Sequence, residues 1–359
     1  MSQEASTIVV LGLSLSSSWG NGHATTYRAL LTGMAKLGHR VLFLERDVPW
    51  YAEHRDMPAP DFCELAFYRD LDELRTRFGR DIAAAKAVIV GSYVPDGIAV
   101  LDFVLADARG VRVFYDIDTP VTLAALERGD CAYLAPAQIA RLDLYLSFSG
   151  GPILQILSQI YGARRPRAFY CAVDEARYRP GSETPRWDLG YLGTYSVDRQ
   201  PALERLLLEP ARRLPDCHFV VAGPQYPDDI AWPDNVERIE HLPPALHAGF
   251  YGAQRFTLNI TRADMIAAGW SPSVRLFEAA ACGTPIISDR WDGLGDLLPD
   301  GEAILIADDS DAVVDNLVSL DDSRRRDIAA RAMAIILAGH TGIARAREFD
   351  SYLEACIPA

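Results

Sequence analysis

The sequence predicts an α/β protein of two domains, each built on a parallel sheet with helices on both faces. Three observations lead there. The 359 residues exceed what one ordinary domain holds. Short β-branched runs alternate with amphipathic stretches through both halves, the rhythm of βαβ units. That rhythm lapses once near the middle, in DEARYRPGSETPR, where two prolines, a glycine and mixed charge read as a linker. The expected organisation is therefore a first domain over 1–173, a linker over 174–186, a second domain over 187–335, and a closing helical segment over 336–359.

The elements follow in order. TIVVLGL is the first strand, and the polar loop SLSSSWGNG leads from it into HATTYRALLTGMAKLG, a helix stopped by Gly38. HRVLFLER is the next strand, followed by a loop rich in proline and aromatics. KAVIVGS, VRVFYDID, LDLYLSFS and RAFYCAV are further strands, with helices such as GIAVLDFVLADAR and GPILQILSQIYG between them. After the linker the pattern restarts with WDLGYLG, PALERLLLEPARRL, CHFVVAG, NVERIEHL, RFTLNIT, SVRLFEAAACG, TPIISD and EAILIA. Residues 311–356 read as helical.

Composition removes several function classes. With 35 basic against 49 acidic residues the formal net charge is −14, which argues against nucleic acid as the main ligand and against anionic membranes. Lys36 and Lys86 are the only lysines, and both lie in stretches that read as helical and structural, so Schiff-base chemistry is weakly supported. The six cysteines have no paired spacing and read as free thiols in a reducing compartment. The N-terminus lacks a basic lead, and no run nears the roughly 20 apolar residues a membrane-spanning helix needs. A cytoplasmic location is the expectation.

The strongest local signal is GWSPSVRLFEAAACGTPIISD. A Ser-Pro turn opens a helix whose first turns carry Arg275 and Glu278. The free N–H groups and dipole of a helix N-terminus favour an anion such as phosphate. Ser271 and Ser273 offer hydroxyls there, and Arg275 offers a planar fork for phosphate oxygens. Glu278 shares a face with the start of the helix and can accept bonds from ribose hydroxyls. The plainer alternative is a surface Arg–Glu pair.

This segment resembles the donor-binding signature of GT-B glycosyltransferases, particularly the family related to the spore maturation protein CgeB. WGNGHATTYRALL, HRVLFLERDVPWY, FYDIDTP, LGTYSVDRQPALERLLLEPA, VVAGPQYP and HTGIARAREF are similar as well. The resemblance implies two Rossmann-like domains facing an interdomain cleft. It also implies a nucleoside diphosphate sugar held mainly by the second domain, and a terminal helix crossing back to the first. By that resemblance Glu278 binds the ribose, and Arg275 with the 271–273 turn lies near the diphosphate. Gly193, Thr194 and Arg199 add a second donor contact. YLGTYSVDR by itself reads as a strand, a glycine turn and an arginine before a helix, suited to a phosphate or simply to a capped βα turn. One departure concerns residue 270. Many retaining enzymes of this fold carry a glutamate eight positions before the ribose-binding one, and here that position is Trp270. Inversion or retention therefore does not transfer.

In the first domain Gly20 and Gly22 precede a helix that begins with His23. Glycines there let backbone approach a diphosphate, and His23 is a candidate general base, or else a capping histidine. A dinucleotide fingerprint is the competing reading, with Glu45 as the ribose acid, but its third glycine is replaced by Thr25. Asp116 and Asp118 end a strand, where such sheets expose ligand groups. Two carboxylates at this spacing suit Mg²⁺ or Mn²⁺, whereas the resemblance implies no essential metal. Asp118 is then a second candidate catalytic residue, or an N-cap.

The expected activity is sugar transfer from a nucleoside diphosphate sugar, a UDP-sugar first, to an unknown acceptor, with no cofactor beyond that co-substrate. The alternatives are a nucleotide-sugar 2-epimerase of the same fold and a non-catalytic nucleotide-sugar-binding protein.

Overall fold

The computed structural model describes residues 7–19 and 22–356. Gly20, one of the two glycines singled out before the first helix, lies outside them. By its internal contacts the chain forms two units. One runs to Ala172 and resumes at His340, and the other is Val173–Gly339.

The first unit is built on β1 (Thr7–Gly12), β2 (Arg40–Arg46), β3 (Glu64–Tyr68), β4 (Ala87–Gly91), β5 (Val111–Asp116), β6 (Leu144–Ser147) and β7 (Pro166–Ala168). Among the described residues these pair in the order β3-β2-β1-β4-β5-β6-β7, every pair parallel. Every residue of β4 is buried, because helices cover both faces of a parallel sheet. Strand order reverses between β1 and β4, so the connections leaving their carboxyl ends run to opposite faces of the sheet, the place where such sheets receive ligands.

The helix Gly22–Lys36 packs against the terminal helix Gly342–Glu354 in the same unit. That approach needs bare backbone: a Cβ on Gly33 would lie 2.0 Å from the Gly342 carbonyl oxygen, and one on Gly342 would lie 2.0 Å from that of Ala29. The terminal helix starts where the Thr341 hydroxyl accepts the Ala344 N–H.

The second unit holds β8 (Trp187–Leu192), β9 (Phe219–Ala222), β10 (Val236–Ile239), β11 (Gln254–Asn259), β12 (Ile286–Ser288) and β13 (Leu305–Ile306). Among the described residues they run β10-β9-β8-β11-β12-β13, again all parallel. Leu189, Leu206, Phe219, Phe256, Leu258 and Ile287 form its core. The reversal here falls between β8 and β11.

Some local expectations change. Lys86 is not helical: the preceding helix ends at Ala84, and Lys86 leads into β4. The segment 174–186 groups with the second unit and is partly packed there, with Tyr178 1% exposed. Residues 336–339 continue the helix Asp322–Gly339, and the break comes at His340. Among the described residues no helix is long and apolar enough to cross a membrane, and all six cysteines are free.

Candidate functional site

Each unit gathers its chemistry at its own strand-order reversal. In the second unit the turn after β8 brings Gly193 beside the guanidinium of Arg275. A Cβ on Gly193 would lie 2.5 Å from the Tyr191 hydroxyl and 3.1 Å from Arg275 Nη2. The Gly193 carbonyl accepts from the Tyr226 hydroxyl at 3.0 Å. Arg199 Nη2 donates to the Thr194 carbonyl at 2.6 Å and so closes the 194–199 turn.

The helix Val274–Ala281 starts in an unusual way. Ser273 sits at its N-cap, yet its hydroxyl does not cap the helix. It donates instead to Asn259 Oδ1 at 2.7 Å, and Arg275 Nη1 donates to the same oxygen at 2.8 Å. Asn259 is the last residue of β11, fully buried, and its amide N–H groups donate to Ser288 Oγ at 2.9 Å and Thr261 Oγ1 at 3.3 Å. Arg275 is held further by Nε to the Leu192 carbonyl at 2.7 Å and by the Tyr191 ring, 4.7 Å beneath its guanidinium. The fork is thus fixed by Nε and Nη1 while Nη2 has no hydrogen bond among the described residues, beside the N–H groups of a helix start with no side-chain cap. Chemically, such an arrangement can receive an anion.

Glu278 lies one turn on and is buried. Tyr251 donates to its Oε2 at 3.1 Å, and burial, with the neighbouring Glu278 adding to it, pushes the Tyr251 and Tyr178 phenols far above their ordinary range. Ser271 turns the other way, its hydroxyl donating to the Gly269 carbonyl at 2.9 Å, so its only proton is committed. Trp270 has a left-handed φ of 43° and donates from Nε1 to Asp296 Oδ2 at 2.8 Å. Its ring lies against Gly293, where a Cβ would come within 2.4 Å. The side chain belongs to the 292–296 loop and is not presented to the Asn259–Arg275 cluster.

In the first unit His23, Tyr93 and Asp118 meet at the ends of β1, β4 and β5. The Tyr93 hydroxyl donates to Asp118 Oδ2 at 3.2 Å, and its ring meets that of His23 edge-on at 5.4 Å between centroids. Tyr93 holds φ 62°, a left-handed conformation that costs a bulky residue energy and is kept only where the surroundings dictate it. Burial lowers the His23 imidazolium to about 4, so the ring is neutral near pH 7. Asp118 stands at the N-cap of the helix Thr119–Arg128 without capping it. Gly22 opens its helix with nothing within 4 Å of a Cβ position, so the close approach expected of it involves no protein atom.

Asp116 faces inward. Tyr145 donates to Oδ2 at 2.6 Å and Thr122 to Oδ1 at 2.7 Å, and burial raises its carboxyl to about 6. Both of its oxygens are engaged by side chains inside the sheet end. Glu45 is likewise committed: it accepts from the Leu15 and Ser16 N–H groups at 2.7 and 2.9 Å and from the Ser14 and Ser16 hydroxyls at 3.1 and 2.6 Å. It anchors the loop after β1 and leaves no ribose acid for a dinucleotide. Sequence reasoning missed Asn259 and Tyr93. Their one available signal was a polar or aromatic side chain just at or past a strand's carboxyl end.

The fold as a whole matches solved structures. Sucrose-phosphate synthase from Thermosynechococcus elongatus superposes with a TM-score of 0.70 at 13% identity, covering 97% of this chain and 98% of that one. Anabaena HepE in complex with UDP and glucose gives 0.66 at 12% identity, over 98% and 100%. An alpha-glucosyltransferase in complex with UDP-glucose and DNA gives 0.71 at 13% identity, over 96% and 98%. The chain has the GT-B fold. Within this GT-B chain, residues 199–351 match the family model described as glycosyl transferase-like. D-inositol 3-phosphate glycosyltransferases of three Mycobacterium strains are 30% identical to it over 147 residues, 36% of this chain. The match spans about a third, 32%, of those relatives' length. The stretch matched by the family model includes Arg199, Asn259, Ser273, Arg275 and Glu278.

Proposed function

We propose that this chain is a glycosyltransferase that takes its sugar from a nucleoside diphosphate sugar, with Arg275 and the opening of the helix Val274–Ala281 receiving the diphosphate. One observation supports this above the others. Ser273 occupies an N-cap but spends its hydroxyl on Asn259, so the helix start is left open to an anion while the adjacent Arg275 is already oriented. Glu278, one turn further, is placed to accept from the ribose. Gly193, Thr194 and Arg199 supply the facing turn, and Ser271 shapes the bend before the helix.

A UDP-sugar is the preferred donor, since Anabaena HepE and the alpha-glucosyltransferase bind UDP or UDP-glucose in structures of this fold. Kinship with the CgeB-related family belongs to the same proposal. In the first unit His23 and Asp118 receive the acceptor hydroxyl. A neutral His23 orients it, and Asp118, held by Tyr93, takes the proton as the hydroxyl oxygen attacks the anomeric carbon and the diphosphate leaves. No metal or further cofactor enters this scheme: the developing charge on the leaving diphosphate is met by Arg275 and the helix N–H groups.

Calorimetric titration with UDP, GDP and dTDP tests the proposal. One diphosphate should bind at micromolar affinity or better, and Glu278→Ala should weaken it by ~1.5–3 kcal/mol, the worth of hydrogen bonds to a charged group. Binding by none of the three, or undiminished binding by the variant, overturns the donor site. Release of a free epimer from the bound nucleotide sugar without acceptor would replace transfer by epimerisation.

A further inference from the structure

His247 lies against Glu278, and no role has been given to it so far. Its Nδ1 stands 3.7 Å from Glu278 Oε2, with the two side chains 17% and 8% exposed. On the other side of the ring Nε2 lies 3.3 Å from the Leu242 carbonyl oxygen. A carbonyl oxygen only accepts, so Nε2 carries the proton, and in the neutral ring Nδ1 presents a lone pair. Nδ1 is buried and has no hydrogen-bond partner among the described residues. The site therefore sets two acceptors, an imidazole nitrogen and a carboxylate oxygen, close together in a largely dry place. Tyr251 gives one proton to the carboxylate, the Tyr178 hydroxyl bears on it as well, and among the described residues no donor reaches the imidazole Nδ1. An unmet acceptor beside an anion is costly unless a ligand completes it.

A vicinal diol completes it. Two neighbouring hydroxyls offer two protons at the spacing of adjacent carbons, one for each acceptor. We propose that His247 is a specificity-determining residue of the donor site, reading the second hydroxyl of the nucleotide ribose while Glu278 reads the first. The pair then selects ribonucleoside diphosphates over their deoxy counterparts. This rests on the donor-site reading above. It differs from a site in which Glu278 alone takes both hydroxyls, because discrimination at one hydroxyl becomes the property of a separate side chain.

The test compares UDP with 2′-deoxy-UDP and 3′-deoxy-UDP by calorimetry, or the matching GDP series if wild type prefers GDP. The protein is wild type, His247→Phe, which keeps the ring shape without the acceptor, and His247→Asn, which restores an acceptor. Thermal melting shows that each variant is folded. Wild type should favour the ribo form over either deoxy form by roughly 10-fold. His247→Phe should lose that preference at one hydroxyl and keep it at the other, and His247→Asn should recover part of it. If wild type binds no diphosphate, the donor site itself fails and this inference with it. If diphosphate binds and His247→Phe discriminates like wild type, the inference fails while the donor site stands. Equal loss of all three ligands in His247→Phe, with no recovery in His247→Asn, also overturns it, since His247 would then serve only packing or an ion pair with Glu278.

Discussion

Removing the Asn259 side chain separates the stability of the second unit from the preparation of its anion site. In Asn259→Ala four hydrogen bonds vanish: those from Ser273 and Arg275 to Oδ1, and those from the amide to Ser288 and Thr261. The Arg275 bond is charge-assisted, worth ~1.5–3 kcal/mol, and a neutral one is worth ~0.5–1.5 kcal/mol. The 3.3 Å bond to Thr261 adds little. Because Asn259 is fully buried, water does not replace what is lost. The sum is a destabilisation of roughly 3–5 kcal/mol, or a fall in Tm of about 6–15 °C for a unit of this size. In the variant Arg275 keeps only the Leu192 carbonyl and the Tyr191 ring, so the fork is no longer preset and UDP affinity should drop by about 10-fold or more. Asn259→Asp breaks this parallel. The carboxylate keeps both acceptor bonds and the fork stays oriented, but its charge cancels that of Arg275 in front of an anionic ligand. Asn259→Asp should therefore melt above Asn259→Ala while binding UDP no better. Denaturation followed by calorimetry at a temperature where both are folded gives the two orderings. Undiminished UDP binding by Asn259→Ala, or a stability loss under about 1 kcal/mol, would refute the argument.

Other substitutions isolate single contacts. Gly293→Ala places a Cβ 2.4 Å from the Trp270 ring at a φ of 88°, so it should destabilise the second unit by ~2 kcal/mol or more in urea unfolding. Gly33→Ala meets the Gly342 carbonyl at 2.0 Å and should speed amide exchange in the terminal helix, whose backbone has no room to yield. Glu45→Ala strips four donors of their acceptor and should loosen residues 14–17 in exchange measurements, at a cost of roughly 2–4 kcal/mol. The pH dependence has two opposed parts. His23 binds its proton less tightly folded, about 4 against 6.5, so the stability it gives is full above 6.5 and lost as pH falls toward 4. Asp116 binds its proton more tightly folded, about 6 against 3.8, so its share is full below 3.8 and lost as pH rises through 6. Unfolding curves should show stability climbing more steeply between pH 4 and 6 in Asp116→Asn, and less steeply in His23→Gln, by ~1–3 kcal/mol in each case.

The alternation of strands and helices was legible because side-chain periodicity is local, and a parallel sheet follows from it. Arg275 and Glu278 were legible because a Ser-Pro turn before an amphipathic helix marks its N-terminus. Asn259 was not, since the residues it organises lie 14, 16 and 29 positions away and meet only once β11 and β12 pair. Tyr93 was hidden for another reason: nothing in GSYVPD announces a left-handed tyrosine, which the surrounding fold imposes. The stretch 174–186 has the composition of a free connection, yet Tyr178 is buried beside Glu278, an effect of tertiary packing that local composition does not encode. Glu45 and Asp116 show the reverse case. Their positions at strand ends fitted ligand roles, but hydrogen-bond donors from their own unit had already claimed them.

Glu45, Asp116 and Asn259 each sit at or near the carboxyl end of a strand, on or next to one that borders a reversal of order, and each holds the backbone or side chains of a neighbouring segment. Their side-chain types differ for a reason their neighbours explain. Four donors converge on the buried carboxyl group of Glu45, and no ligand is asked to approach it. Asp116 has fewer donors and a neighbouring carboxylate, and its raised pKa records the shortfall. At residue 259 the same orienting task falls beside Arg275, the group proposed to meet a diphosphate. An acid there would hold the guanidinium equally well and neutralise it. An amide supplies the same acceptor geometry without the charge, and its two N–H groups tie the site to β12 as well. Asparagine meets both requirements at that position, orientation of the fork and preservation of its field, and the comparison of Asn259→Asp with Asn259→Ala is the measurement that tells those requirements apart.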